Sequence, residues 1–236
     1  MNELVKRNAR LSAPRLLGAM FVVVAVLSLL SGQLLSPLSY SLAGPSGDVS
    51  ETMTAFAEHP TMVRMSITGF LIEAVAIVLL TVLLYSLLKE QNRILARWAF
   101  GLWLIEAVGV ALRQFSAFSL LRTGQMFVEA GAPESSYFQI LGSLHYDLMH
   151  FGYDAQMLFY CVGGLLFYSL FFRSRYVPRA VSVWGIVVAA LALVGELFAL
   201  FGFDVPLYVY LPVLPFELFI GVWPMITGVR YGSEIR

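Results

Sequence analysis

ITGFLIEAVAIVLLTVLLYSLL, residues 67–88, carries one charged side chain, Glu73, in an otherwise uncharged and mostly apolar run. The hydrocarbon core of a bilayer is about 30 Å thick, and a helix rising about 1.5 Å per residue crosses it in about 20 residues. The run is long enough to cross, so it reads as a transmembrane helix. Glu73 then raises the question of what allows a carboxylate to lie roughly a third to half of the way into lipid.

The rest of the chain agrees with this reading. Of its 236 residues, 59% are hydrophobic and 13% charged, whereas soluble domains carry about 25% charged residues. The balance predicts an all-α, polytopic integral membrane protein forming one transmembrane helical domain over residues 1–236. A single cysteine, Cys161, excludes an intramolecular disulfide and a cysteine-based metal cage. No basic stripe points to nucleic acid. Six segments are apolar enough to span: 16–38, 62–88, 97–120, 149–172, 180–202 and 212–230. The last is interrupted by Pro212, Pro215 and Pro224. The run from Leu16 to Leu35 exceeds the ~7–15 apolar residues of a cleaved signal and is expected to be a retained first helix. RTGQMFVEAGAPESS, residues 122–136, is polar enough for a loop, and 137–148 either extends the fourth helix or forms an interfacial turn. In SLAGPSGDVSETMTAFAEHP, residues 41–60, turn formers precede a short stretch suited to lying on the membrane surface.

Basic residues orient the spans, because short cytoplasmic loops are enriched in lysine and arginine. Lys6, Arg7, Arg10 and Arg15, then Lys89, Arg93 and Arg97, then Arg173, Arg175 and Arg179, and finally Arg230 and Arg236 all fall on one side. The other side holds Arg122 and Arg64 among Asp48, Glu51, Glu58, Glu129, Glu134 and Asp204. Both termini are therefore expected in the cytoplasm. Tyr40, Trp98, Tyr137, Tyr176, Tyr208, Tyr210 and Tyr231 fall near span ends, where amphipathic rings favour the interface.

This orientation places the ionisable residues of the spans mostly in the outer half. Glu73 descends on the second helix, Glu106 lies near the middle of the third with Arg113 above it, and Glu196 lies on the fifth. A charge at the bilayer centre costs about 2.5–3.5 kcal/mol, so these groups are expected to face inward and to pair or meet water. Arg113 is expected to reach Glu73 or Glu196, since Glu106 is seven residues away on its own helix. His150 and Asp154 share one helix face, and Asp147 extends their stripe. This stripe is expected to line the mouth of an outward-opening polar cavity. Each residue also has a plainer reading: a structural ion pair for Glu106 and Arg113, a local hydrogen-bonded pair for His150 and Asp154, and a helix-dipole contact for Glu217. Glu196, inside ALVGELFAL, has no such account without a partner or a proton.

KEQNRILARWAFGLWLIEA, with Asn92, Arg93 and Glu106, resembles the inner-loop and third-helix signature of the bacterial domain of unknown function 4386 family. MHFGYDAQMLFYCVGGLLFYSLFFRSRYVPRA resembles the family's fourth helix and following loop through His150, Gly152, Arg173, Ser174, Tyr176, Pro178 and Arg179. The resemblance extends over nearly the full length and implies a six-helix protein of the bacterial inner membrane. It implies no activity, and His145 and Asp154 fall outside its pattern.

Two functions remain open. One is a membrane-embedded enzyme acting on a lipid or small amphiphile. His150 and Asp154 with a further carboxylate would then hold a divalent metal such as zinc, while Glu106, Glu73 or Glu196 acts on protons and Arg113 holds an anionic headgroup. The alternative is a binding or transport protein for a cation, a proton or a small amphiphile, with Glu73, Glu106 and Glu196 as the coupling carboxylates.

Overall fold

The computed structural model describes residues 2–35, 49–132 and 136–227, and every regular element among them is helical. In chain order these are α1 (Asn2–Leu35), α2 (Val49–Glu58), α3 (Pro60–Leu88), α4 (Arg93–Glu129), α5 (Ser136–Ser174), α6 (Arg179–Leu200) and α7 (Val213–Thr227), with a 3-10 turn at Leu207–Val209 before α7. By length and composition, five segments can cross a membrane: Arg15–Leu34, Pro60–Leu88, Arg93–Glu129, Tyr137–Ser174 and Arg179–Leu200. The sixth expected span corresponds to α7, whose 15 residues rise about 22 Å. The expected limits at 36–38 and 228–230 lie outside the described residues, as do Tyr40, Asp48, Glu134, Arg230, Tyr231 and Arg236.

Local chemistry sets the helix boundaries. Pro60 opens α3 with a proline in its first turn, where the missing N–H costs nothing. Asn92 caps α4, its side chain accepting from the backbone N–H groups of Ile94 and Leu95 at 3.1 and 3.0 Å. Asn92, the first residue of the Asn-Arg pair, is thus a helix cap. α6 stops where Gly202 adopts a φ of +80° and the Phe203 N–H reaches back to the Phe198 carbonyl.

One expectation about the region between the third and fourth spans requires correction: the predicted loop over 122–136 is helical as far as Glu129. Of the two alternatives for residues 137–148, the extension of the fourth span holds, since they belong to α5. Polarity alone does not break a helix. Arg122 donates to Gln125 at 2.8 Å, the Thr123 hydroxyl donates back to the Ser119 carbonyl at 2.9 Å, and Phe127 is buried. The helix ends only where Gly131 and Ala132 take φ values of +82° and +50°. α4 and α5, at 37 and 39 residues, therefore rise about 55 Å and more, well beyond one hydrocarbon core.

This excess length gives α2 its seat. The surface-lying stretch expected after residue 48 is a helix that packs against α4 and α5, burying Thr52, Met53 and Phe56. Gly124 lets the Met53 backbone approach α4, since a Cβ there would overlap the Met53 carbonyl. A Cβ on Gly142 would meet the Met53 sulfur at 2.6 Å.

The long helices form a ring. α1 packs against α3 and α7, α3 against α4, α4 against α5 and α5 against α6, and a thinner contact between α6 and α7 closes it. α1 and α7 cross closely at Gly18, where a Cβ would overlap the Gly221 carbonyl. Two apolar clusters fill the ring. One includes Leu84, Leu88, Ala96, Phe167 and Phe171 towards the arginine-bearing turns. The other includes Met53, Phe56, Val63, Leu120 and Phe127 towards α2. The polar groups lie around the junction: Glu106 sits on α4 between Trp103 of the first cluster and Val110 of the second.

Candidate functional site

Glu73, Glu106, Arg113 and Glu196 are all buried, so none of these charged positions turns its side chain outward. Their surroundings divide them into two groups on either side of α5.

The first group brings three helices together. Glu106 on α4 interacts electrostatically with Glu73 on α3 and Glu217 on α7, and Glu73 also interacts with Arg113 and Glu217. The Tyr160 hydroxyl on α5 donates to Glu217 Oε1 at 2.7 Å. Tyr160 is held from behind: its ring stacks on Trp103 with centroids 5.9 Å apart, and Trp103 Nε1 donates to the Tyr160 carbonyl at 3.0 Å. Among the described residues, Glu73 Oε2, Glu106 Oε2 and the Tyr168 hydroxyl are buried with no hydrogen-bond partner. A buried, unsatisfied carboxylate oxygen is expensive and marks a place where a proton, an ion or water is accommodated.

Arg113 interacts electrostatically with Glu73, one of its two expected partners, without a close ion pair among the described residues. Its guanidinium lies over the Phe70 ring at 4.6 Å and the Tyr153 ring at 5.3 Å. Two aromatic faces offset part of the cost of burying the cation, by up to about 2 kcal/mol where water is excluded. Gly152 on α5 lies against the stem of Arg113, which a Cβ there would touch at 3.4 Å, an ordinary contact.

The second group lies between α5 and α6. Glu196 interacts electrostatically with Asp154, and Asp154 with His150 one turn earlier. Neither oxygen of Glu196 has a hydrogen-bond partner among the described residues, although the Tyr210 phenol approaches it. Burial first, and then the neighbouring Glu196, push the Tyr210 phenol well above its ordinary range, so it remains a proton donor. His150 packs its ring on Tyr146 at 4.2 Å, and its Nδ1 lies 3.0 Å from the Tyr146 carbonyl. Asp147 is exposed on the continuous α5.

A metal finds only part of a site here. Among the described residues, no group of three or more histidine, cysteine, aspartate or glutamate side chains is arranged to hold an ion. His150 and Asp154 therefore supply two donors where a protein-bound zinc takes at least three. Cys161 is buried and interacts electrostatically with both Glu196 and Glu106, so α5 separates the two groups without isolating them.

Glu217, Tyr160, Tyr168 and Tyr210 belong to the site but were not singled out as site residues from sequence. A signal for two of them exists, because Gln156, Tyr160, Gly164 and Tyr168 recur every four residues and share one face of α5.

No curated protein and no solved structure matches the chain. The profile of the family described as "Domain of unknown function (DUF4386)" matches residues 16–228, from the first long apolar run to the end of α7, and the chain belongs to that family.

Proposed function

We propose that this is a multi-pass protein of the bacterial inner membrane, with six spans and both termini in the cytoplasm, whose intramembrane carboxylates bind and pass a proton or a small cation. The charge count at the first group carries the reading. Glu73, Glu106 and Glu217 face one another within a low-dielectric bundle, and Arg113 can balance at most one of them. The remaining charge has to be met by bound protons or a bound cation. Tyr160 and Tyr168 supply hydroxyls beside the carboxylates, and Asp154 with Glu196 extends the acidic path along α5 towards the side bearing α2. That side is outward when the arginine-rich turns are cytoplasmic, and the proposed acidic path opens there.

Purified protein in vesicles containing a pH-sensitive dye tests this directly. A potassium diffusion potential, negative inside, is expected to drive proton uptake that Glu106→Gln abolishes. Wild-type vesicles no leakier than empty ones would remove the transport reading, and an unchanged rate in Glu106→Gln would remove the site.

A lipid-directed enzyme is the second reading, and Arg113 is the observation that favours it. A buried guanidinium without a close ion pair among the described residues can hold an anionic headgroup beside Glu73. Headgroup release from phospholipid vesicles, lost in Arg113→Gln, would support that reading over the first.

A further inference from the structure

The RSRYVPR motif at residues 173–179 takes no part in the intramembrane site. It forms the turn between α5 and α6, which together with the end of α7 borders an open groove of about 530 Å³. Arg175, Tyr176, Val177, Arg179 and Trp223 line this groove, and among the described residues no carboxylate does. The turn directly joins two segments apolar enough to span, Tyr137–Ser174 and Arg179–Leu200, so the groove lies at the edge of the apolar layer.

We propose that this groove binds an anionic membrane phospholipid, with Arg175 and Arg179 on the phosphate and Val177 and Trp223 against the first part of an acyl chain. Three features support this occupant. Two guanidiniums and no carboxylate among the described lining residues make the groove electropositive, and guanidinium forks match phosphate oxygens. Arg175 holds a φ of +56°, a left-handed conformation that glycine would adopt freely, so the turn accepts strain to keep an arginine at the rim. The third is the start of α6, which Pro178 opens without a side-chain cap; the Val181 N–H turns back to the Pro178 carbonyl, and the Arg179 and Ala180 N–H groups lie at the same end as the arginines. The apolar wall distinguishes this site from one for a free anion, because inorganic phosphate gains nothing from Val177 and Trp223.

Tryptophan quenching by brominated lipid reads the groove through Trp223. Full-length protein is placed in vesicles of phosphatidylcholine mixed with phosphatidylglycerol, with bromine on the acyl chains of one lipid at a time. The Trp223 contribution is taken as the difference from Trp223→Phe. Phosphatidylglycerol is expected to be enriched at Trp223 on the order of tenfold over its share of the bilayer. Arg175→Gln with Arg179→Gln is expected to lose the enrichment, and lysine at both positions to keep part of it. Inorganic phosphate is expected to leave it unchanged. Quenching in proportion to bulk composition, enrichment that survives the double glutamine variant, or displacement by inorganic phosphate would each overturn the proposal. Should Trp223→Phe fail to fold, retention of phosphatidylglycerol over phosphatidylcholine by wild-type and double-glutamine protein in native mass spectrometry makes the same distinction.

Discussion

The Tyr160 hydroxyl ties α5 directly to Glu217 of α7, beside the carboxylates of α3 and α4. Removing it leaves Glu217 Oε1 without its donor in a site that already holds unsatisfied oxygens on Glu73 and Glu106. Tyr160→Phe is expected to lower stability in detergent by about 1–3 kcal/mol, measured by thermal or denaturant unfolding. In a Glu217→Ala background the same substitution should cost much less, because the two residues are coupled; equal costs in both backgrounds would show that the hydroxyl acts elsewhere. At this scale the sequence was informative wherever a charge interrupts an apolar run. Glu73, Glu106, Arg113 and Glu196 stand out for that reason, and all four are buried. Glu217 did not stand out, because a carboxylate near a helix start already has a sufficient account in the helix dipole. Tyr160, Tyr168 and Tyr210 were obscured because tyrosine is ordinary in membrane helices and at their ends. The aromatic neighbours of Arg113 were missed for a different reason: sequence spacing identifies charges on neighbouring helices such as Glu73, whereas the ring faces of Phe70 and Tyr153 depend on how those helices rotate.

Among the elements, α2 depends most visibly on one neighbour. Gly124→Ala places a methyl group against the Met53 carbonyl, and backbone cannot yield as a side-chain tip does. This substitution is expected to loosen α2 and destabilise the protein by about 1–3 kcal/mol, with faster protease cleavage in 49–58 as the readout. Gly101, on the same helix, would meet nothing within 4 Å, so Gly101→Ala should be neutral or stabilising by roughly 0.5–1 kcal/mol. Similar losses in both would show that the effect does not come from the α2 seat. The apolar stretches of the long helices were legible because a crossing length of apolar residues has few other readings. The extension of α4 was not. Residues 122–129 are as polar as a loop, and their helicity comes from local hydrogen bonds and from packing with α2, which a reading of hydropathy does not detect.

For the molecule as a whole, the number of crossings decides where the two ends lie. Five crossings put them on opposite sides, and six put them on the same side. A fluorescent protein that matures only in the cytoplasm should shine when fused to either end, while a phosphatase active only outside should stay silent at both. Activity of the phosphatase at one end alone would mean that α7 does not cross. The unbroken course of α5 has a mechanical consequence. From Ser136 to Ser174 the backbone stays helical, so no hinge separates the stem beside α2 from Tyr160, about 36 Å further along. The stem and the Tyr160 hydroxyl are two ends of one stiff rod. Anything that tilts the stem, from a bound protein to a change in lateral pressure, applies torque to the donor on Glu217, so the acidic layer is geared to events well outside its own depth.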